Sequence, residues 1–255
     1  MRNHTKREEA GIPLRCETPS SMQAMGEPLA FLGRRTLSKL YLMLHFGRML
    51  SGSGGVRMDT VNPVVESETV YDYCGLEIHE HGDGDCLRKA LSDTGKQVAP
   101  QTGGNERTAD GLWMLDIPDY AAVADRGSVF LVTDPDRNSL EEGFEAVRRT
   151  AARTPGVRVH RVYLDVCESS RIDVRYMETL FARNLSNGAV SGDWLAIAAG
   201  ERDQAAILDN QHDDRLRLTR LSPSYRRLLQ EIALLSYGMG HKESGRLLRM
   251  ADRRK

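Results

Sequence analysis

The chain has 255 residues, enough to bury a substantial core, and a single large α/β domain is a simpler reading than two small ones. Lys and Arg number 35 against 36 for Asp and Glu, so no global field announces a nucleic acid or an anionic membrane. Cys16, Cys74, Cys86 and Cys167 stand apart from one another and from histidines at ligand spacing, which argues against a zinc site or a disulfide framework; with no apolar run of the roughly 18 residues a span requires and no signal-type N-terminus, the expected location is the cytoplasm.

Residues 1–25 are polar, aperiodic and carry two prolines, and they read as a disordered tail in which Met22 and Met25 are alternative starts. Short apolar runs then alternate with helical patterns. "PLAFL" predicts a strand, Leu37 to Leu50 a helix, and "VRMD", "LWMLDI" and "SVFLVTD" three further strands. Ser139 to Arg153 predicts a helix and "VRVHRVYLDV" a strand. Strands of about five residues separated by helices indicate βαβ units, hence an α/β fold with a mostly parallel sheet and helices on both faces. His79 to Asp110 reads as a loop excursion with a short helix near Asp85 to Ser92, its His79, His81, Asp83 and Asp85 being solvated rather than metal-binding. Beyond Arg171 the pattern predicts a helix to Asn184, a strand around Trp194 to Ile197 and a helix over Pro223 to Tyr237. "RLRLTRL", Arg215 to Leu221, alternates basic and apolar residues and reads as an edge strand. Residues 239–255 read as a basic tail with a frayed end, its apolar set of Leu247, Leu248 and Met250 being too small to favour peripheral membrane contact.

Chemistry concentrates in "GRRTLSKL". A strand, a tight loop and a helix in that order aim backbone N–H groups and a helix N-terminus at an anion. Gly33 and Lys39 stand at phosphate-loop spacing, and a lysine at the seventh loop position reaches β and γ phosphates. The loop Gly33, Arg34, Arg35, Thr36, Leu37, Ser38, Lys39, Leu40 departs from that pattern twice: Ser38 occupies the place of a second glycine, and Leu40 the place of the hydroxyl that would bind Mg²⁺. The helix is apolar almost all round and so belongs at the centre of the sheet.

Taken together, these stretches resemble the MinD/ParA family of deviant Walker A ATPases from about Pro28 to Tyr237, a domain assigned to residues 26–238. The family's loop reads KGGxGK[ST]; Arg34 stands at its signature lysine, Lys39 matches the phosphate lysine and Leu40 replaces the Mg²⁺ hydroxyl. "VRMDTVNPV" resembles the second strand and switch I, with Asp59 placed to position water or metal. "LWMLDIPDY" resembles the Walker B strand, where Asp116 holds the Mg²⁺ shell. "VFLVTDPDRNSLEEGFEAVRR" is similar to the family's "VTxPxxxSLxDA", with Pro135 and Ser139 in place. Where the family reads adenine with an asparagine, "VYLDV" offers Asp165, which accepts but cannot donate. "DIPDYAAVAD" has no switch glycine before Gly127.

The resemblance implies ATP or ADP at Gly33 to Leu40, with Mg²⁺ poorly served. It implies catalytic roles for Asp59 and Asp116, a homodimer, and a protein partner in an assembly or positioning system, with no specific nucleic acid. The degraded loop favours a nucleotide-linked or pseudo-ATPase recruitment or positioning module with weak or no ATP hydrolysis, over the alternative of an active ATPase switch in cell division, partitioning, or pilus, flagellum or secretion assembly.

Overall fold

Leu29–Leu32 (β1) is four apolar residues in a row, all buried, as a parallel strand covered on both faces requires. The computed structural model describes residues 29–51, 55–87, 89, 112–117, 128–167, 169–184, 188–198 and 200–253, so the N-terminal tail, most of 82–110 and the stretch after Ile117 that was searched for a switch lie outside the described residues. The strands are β1, β2 (Val56–Val61), β3 (Thr69–Tyr73), β4 (Leu76–His81), β5 (Leu112–Ile117), β6 (Ser128–Thr133), β7 (Arg158–Val166) and β8 (Val190–Ala198). The helices are α1 (Leu37–Leu50), α2 (Arg137–Arg153), α3 (Val174–Asn184), α4 (Glu201–Asp213), α5 (Pro223–Tyr237) and α6 (His241–Ala251).

The strands form one sheet in the order β3-β4-β2-β5-β1-β6-β7-β8, parallel throughout except for the β3–β4 hairpin. Each face carries its own core. On one, Phe31, Met58, Met114, Phe130 and Val162 meet Leu42, Phe46 and Met49 of α1, with Ile207, Leu229 and Leu248 from α4, α5 and α6. On the other, Leu32, Leu115, Leu131 and Val159 meet Leu140 and Phe144 of α2 and Met177 and Phe181 of α3. The fold is therefore α/β with a mostly parallel sheet and helices on both faces. Helix α1 crosses the sheet closely: a Cβ on Gly47 would lie 2.7 Å from Met114 Cε.

Several expectations require correction. The excursion from His79 begins inside β4, whose partner β3 is reached through Cys74 and Gly75, both at positive φ as a two-residue primed turn demands. His79 and His81 are buried, not solvated. "RLRLTRL" is no strand: Leu216, Leu218 and Leu221 are buried beneath a short 3₁₀ turn, Leu218–Arg220. Its alternation reflects a loop laid on the core, and Asp252 accepts the backbone amides of Leu218 at 2.8 Å and Thr219 at 2.6 Å. The segment His241–Ala251 is not frayed, because α6 packs on α1 and α5 and buries Leu247, Leu248 and Ala251.

Candidate functional site

β1 lies between β5 and β6, so the loop after it opens at the carboxyl ends of the central strands, where open α/β sheets place ligands. Gly33 leaves β1 at φ +107°, and a Cβ there would sit 2.3 Å from Val132 O of β6; only glycine fits. Thr36 N-caps α1, its hydroxyl oxygen accepting from Lys39 N at 3.2 Å. The helix therefore begins at Leu37 and the free loop shrinks to Gly33–Thr36. Leu37, Ser38 and Lys39 form the first turn of α1.

Lys39 turns inward. Its side chain is 1 % exposed, and Nζ donates to Gly33 O at 2.8 Å and lies 2.7 Å from Asp116 Oδ1. Burial pulls the ammonium below its ordinary pKa, with the Asp116 carboxylate opposing that pull. The second Asp116 oxygen accepts from Thr60 Oγ1 at 2.9 Å, Thr60 and Asp116 being register partners across β2 and β5. The structure thus brings together the two residues assigned to phosphate and metal. It joins them to each other and adds Thr60, which sequence reasoning missed although the period-2 alternation of "RMDTV" puts it on the α1 side with Met58.

The remaining loop residues point elsewhere. Arg34 lies 3.6 Å from Asp136 at the surface. Arg35 donates to Val61 O at 3.2 Å and to Glu80 at 3.3 Å. Ser38 Oγ donates to Asp165 Oδ2 at 2.5 Å, and Asp165 holds the left-handed backbone at φ +53°. Leu40 is partly buried against the α1-side core and offers no oxygen. Asp59 is not brought to the loop. It faces the opposite side of β2, fully buried, with Arg57 donating at 2.7 and 2.8 Å, Trp113 Nε1 at 2.6 Å and His81 Nε2 at 2.7 Å. Burial pushes its carboxyl up, but the hydrogen bonds from Arg57 and His81 win and hold it below the usual carboxylate range.

As arranged, the side chains assigned to Mg²⁺ and to phosphate are turned to one another or to their own helix. Asp116 is engaged by a cation and a hydroxyl, Thr36 by its own helix, and Leu40 has nothing to give. The gap beside Asp165, lined by Ser38, Ile197, Asp203 and Tyr225, holds about 20 Å³. That is room for a water, whereas small-molecule sites run to several hundred Å³. The hollow of about 440 Å³ between Gly33 and α2 is lined by Glu141, Glu142 and Glu145 together with Arg34 and Arg149, so its charges largely offset one another.

No protein-family model matches the sequence, and no curated protein matches it either. Among solved structures, the crystal structure of a ParA family ATPase from Chlorobium tepidum TLS is similar at a TM-score of 0.48 and 11% sequence identity, covering 88% of this chain and 97% of that one. A likeness at that level says nothing about the site, whose reading rests on its own residues. Among the described residues no helix is long and apolar enough to cross a membrane.

Proposed function

We propose that this chain is a degenerate P-loop protein of the MinD/ParA type that serves as a recruitment or positioning module and does not hydrolyse ATP. One observation carries the reading: the lysine that would hold phosphates is buried in an ion pair with the aspartate that would organise the metal, 2.7 Å apart. Phosphoryl transfer depends on positioning and on neutralising charge on the transferred group. A lysine whose donors go to Asp116 and Gly33 O, and an aspartate neutralised by that lysine, supply neither. Gly33 and Lys39 then act as a latch, fastening the start of α1 to β1 and β5. What the module would offer a partner is the outer surface of the fold; the partner in an assembly or positioning system, and ATP or ADP as a weak ligand, are parts of this proposal.

Phosphate release from ATP with Mg²⁺, by wild type and Lys39→Ala side by side, tests it. The expected outcome is no turnover above background in either. Turnover by the wild type that Lys39→Ala abolishes would reject the module in favour of an active switch.

A further inference from the structure

The two edges of the sheet are built differently. One ends in β3, five residues tied into a hairpin, carrying Asp72 and preceded by Glu66 and Glu68. The other ends in β8, nine residues reading VSGDWLAIA, with Asp193 as its single charge and no Lys, Arg or Pro. An edge presents a row of backbone N–H and C=O groups to any passing strand, and native sheets ordinarily blunt it with charge, proline or short length. Among the described residues, β7 is the only strand paired with β8. Two large side chains of β8 are also open to solvent, Trp194 at 50% and Val190 at 47% exposed, while Leu195 and Ile197 face the core. The blunting device β8 does carry is a bulge, where the register steps from Val159↔Ser191 to Arg161↔Trp194 and Gly192 sits against His160. That bulge interrupts the first half of β8; a second register shift, between Tyr163↔Ala196 and Val166↔Ala198, has its extra residue in β7, so β8 itself runs without an insertion from Trp194 to Ala198.

We propose that Trp194–Ala198 pairs antiparallel with the same segment of a second copy of this chain, across a two-fold axis at Ala196. Three features select this occupant and this register. The run WLAIA carries no charge, so it is matched by an equally uncharged strand and offers nothing to select an acidic or basic one. About Ala196, bulky Trp194 opposes small Ala198, Leu195 opposes Ile197, and two alanines meet at the axis, so large and small side chains alternate across the seam. The two Asp193 carboxylates then stand six residues apart, ~20 Å along the strands, beyond the ~8 Å over which exposed charges act at physiological salt. The pairing is isologous and closes on itself. The edges left at the ends of the joined sheet are the two acid-guarded β3 strands.

Sedimentation velocity of the nucleotide-free full chain from about 1 to 100 µM tests this, because a two-fold at residue 196 makes Ala196 its own neighbour. The wild type should dimerise. Ala196→Lys and Ala196→Glu should each weaken the dimer at least about tenfold, since like charges meet at the axis, while an equimolar mixture of the two should recover it. Ala196 is exposed, and thermal melts of the variants check that the protomer is intact. A wild type that stays monomeric at 100 µM overturns the proposal. A dimer indifferent to both variants overturns it too, as does a mixture that fails to recover.

Discussion

Replacing Lys39 with methionine keeps the length of the side chain and removes its charge from a site where the lysine is 1 % and Asp116 4 % exposed. The carboxylate is left buried with the Thr60 hydroxyl as its remaining hydrogen-bond donor among the described contacts. Removing one partner of a buried ion pair typically costs about 3–5 kcal/mol, a large share of the ~5–15 kcal/mol that holds a domain together. Asp116→Leu should fall at the lower end, because burial already lowers the Lys39 pKa and the amine can shed its proton. The double variant Lys39→Met/Asp116→Leu removes both charges, and such replacements are often neutral or stabilising; the orphaned Thr60 hydroxyl then accounts for ~1–3 kcal/mol. The double variant should therefore be more stable than the sum of its single changes by about 2 kcal/mol or more. Urea denaturation reads this directly: with a slope of ~2–3 kcal/mol per molar, Lys39→Met should lower the midpoint by about 1–2 M. A loss under ~0.5 kcal/mol with additive single changes would show that lysine and aspartate are not partners and would refute the latch.

Leu44, buried in the α1-side core, should cost about 2–5 kcal/mol on truncation to alanine by chemical denaturation, and a loss under ~0.5 would place it at the surface. Gly33→Ala should destabilise by at least about 1–3 kcal/mol, since a positive φ and Val132 O at 2.3 Å both oppose a Cβ; an unchanged melting curve would contradict that geometry. His45 is buried and held neutral, its pKa lowered by burial to about 3. Asn210 Nδ2 lies 2.9 Å from its Nε2 and so makes that nitrogen the acceptor, which leaves the Nδ1 proton facing Tyr225 OH at 3.3 Å. The unfolded histidine takes a proton below its ordinary pKa of 6.5 and the folded one resists until far lower, so the unfolded state binds more protons and stability is lost as the pH drops through that window. The slope is ~1.4 kcal/mol per pH unit for this group, so between pH 6.5 and 4.5 about 2–3 kcal/mol should go. His45→Gln, which keeps a donor and an acceptor, should flatten that part of the urea-midpoint profile; an identical profile would remove His45 as its source.

The centre of the fold was readable because "LAFL", "MLDI" and "VFLV" are runs buried on both faces, a pattern that identifies a strand without knowledge of its neighbours. The hairpin was not, since "TVYDY" and "LEIHEH" are rich in acids and histidines and their turn uses Cys74 where Asn or Asp would have announced it. Helices α4 and α6 bury only a few residues each, and those faces have meaning only once α1 lies across the sheet beside them. At the site, loop and aspartate could each be placed at the end of a strand from the sequence, but the adjacency of those strands and the union of Lys39 with Asp116 could not. Thr36 was the clue: a threonine two residues before Ser38 and three before Lys39 is positioned to cap, and capping converts the loop into helix. Arg57, two residues before Asp59 and so on the same face, was likewise a readable warning that Asp59 had a partner of its own.

The most direct test of the account is an equilibrium titration of the purified chain with labelled ATP and ADP, run once with Mg²⁺ and once with EDTA. With Lys39 turned to Asp116, no hydroxyl at Leu40 and about 20 Å³ beside Asp165, the dissociation constant should be weak, on the order of 1 mM or above, and the same in both buffers. Micromolar binding that requires Mg²⁺ and disappears in Lys39→Ala would contradict the account, because the lysine would then serve a phosphate and not the aspartate.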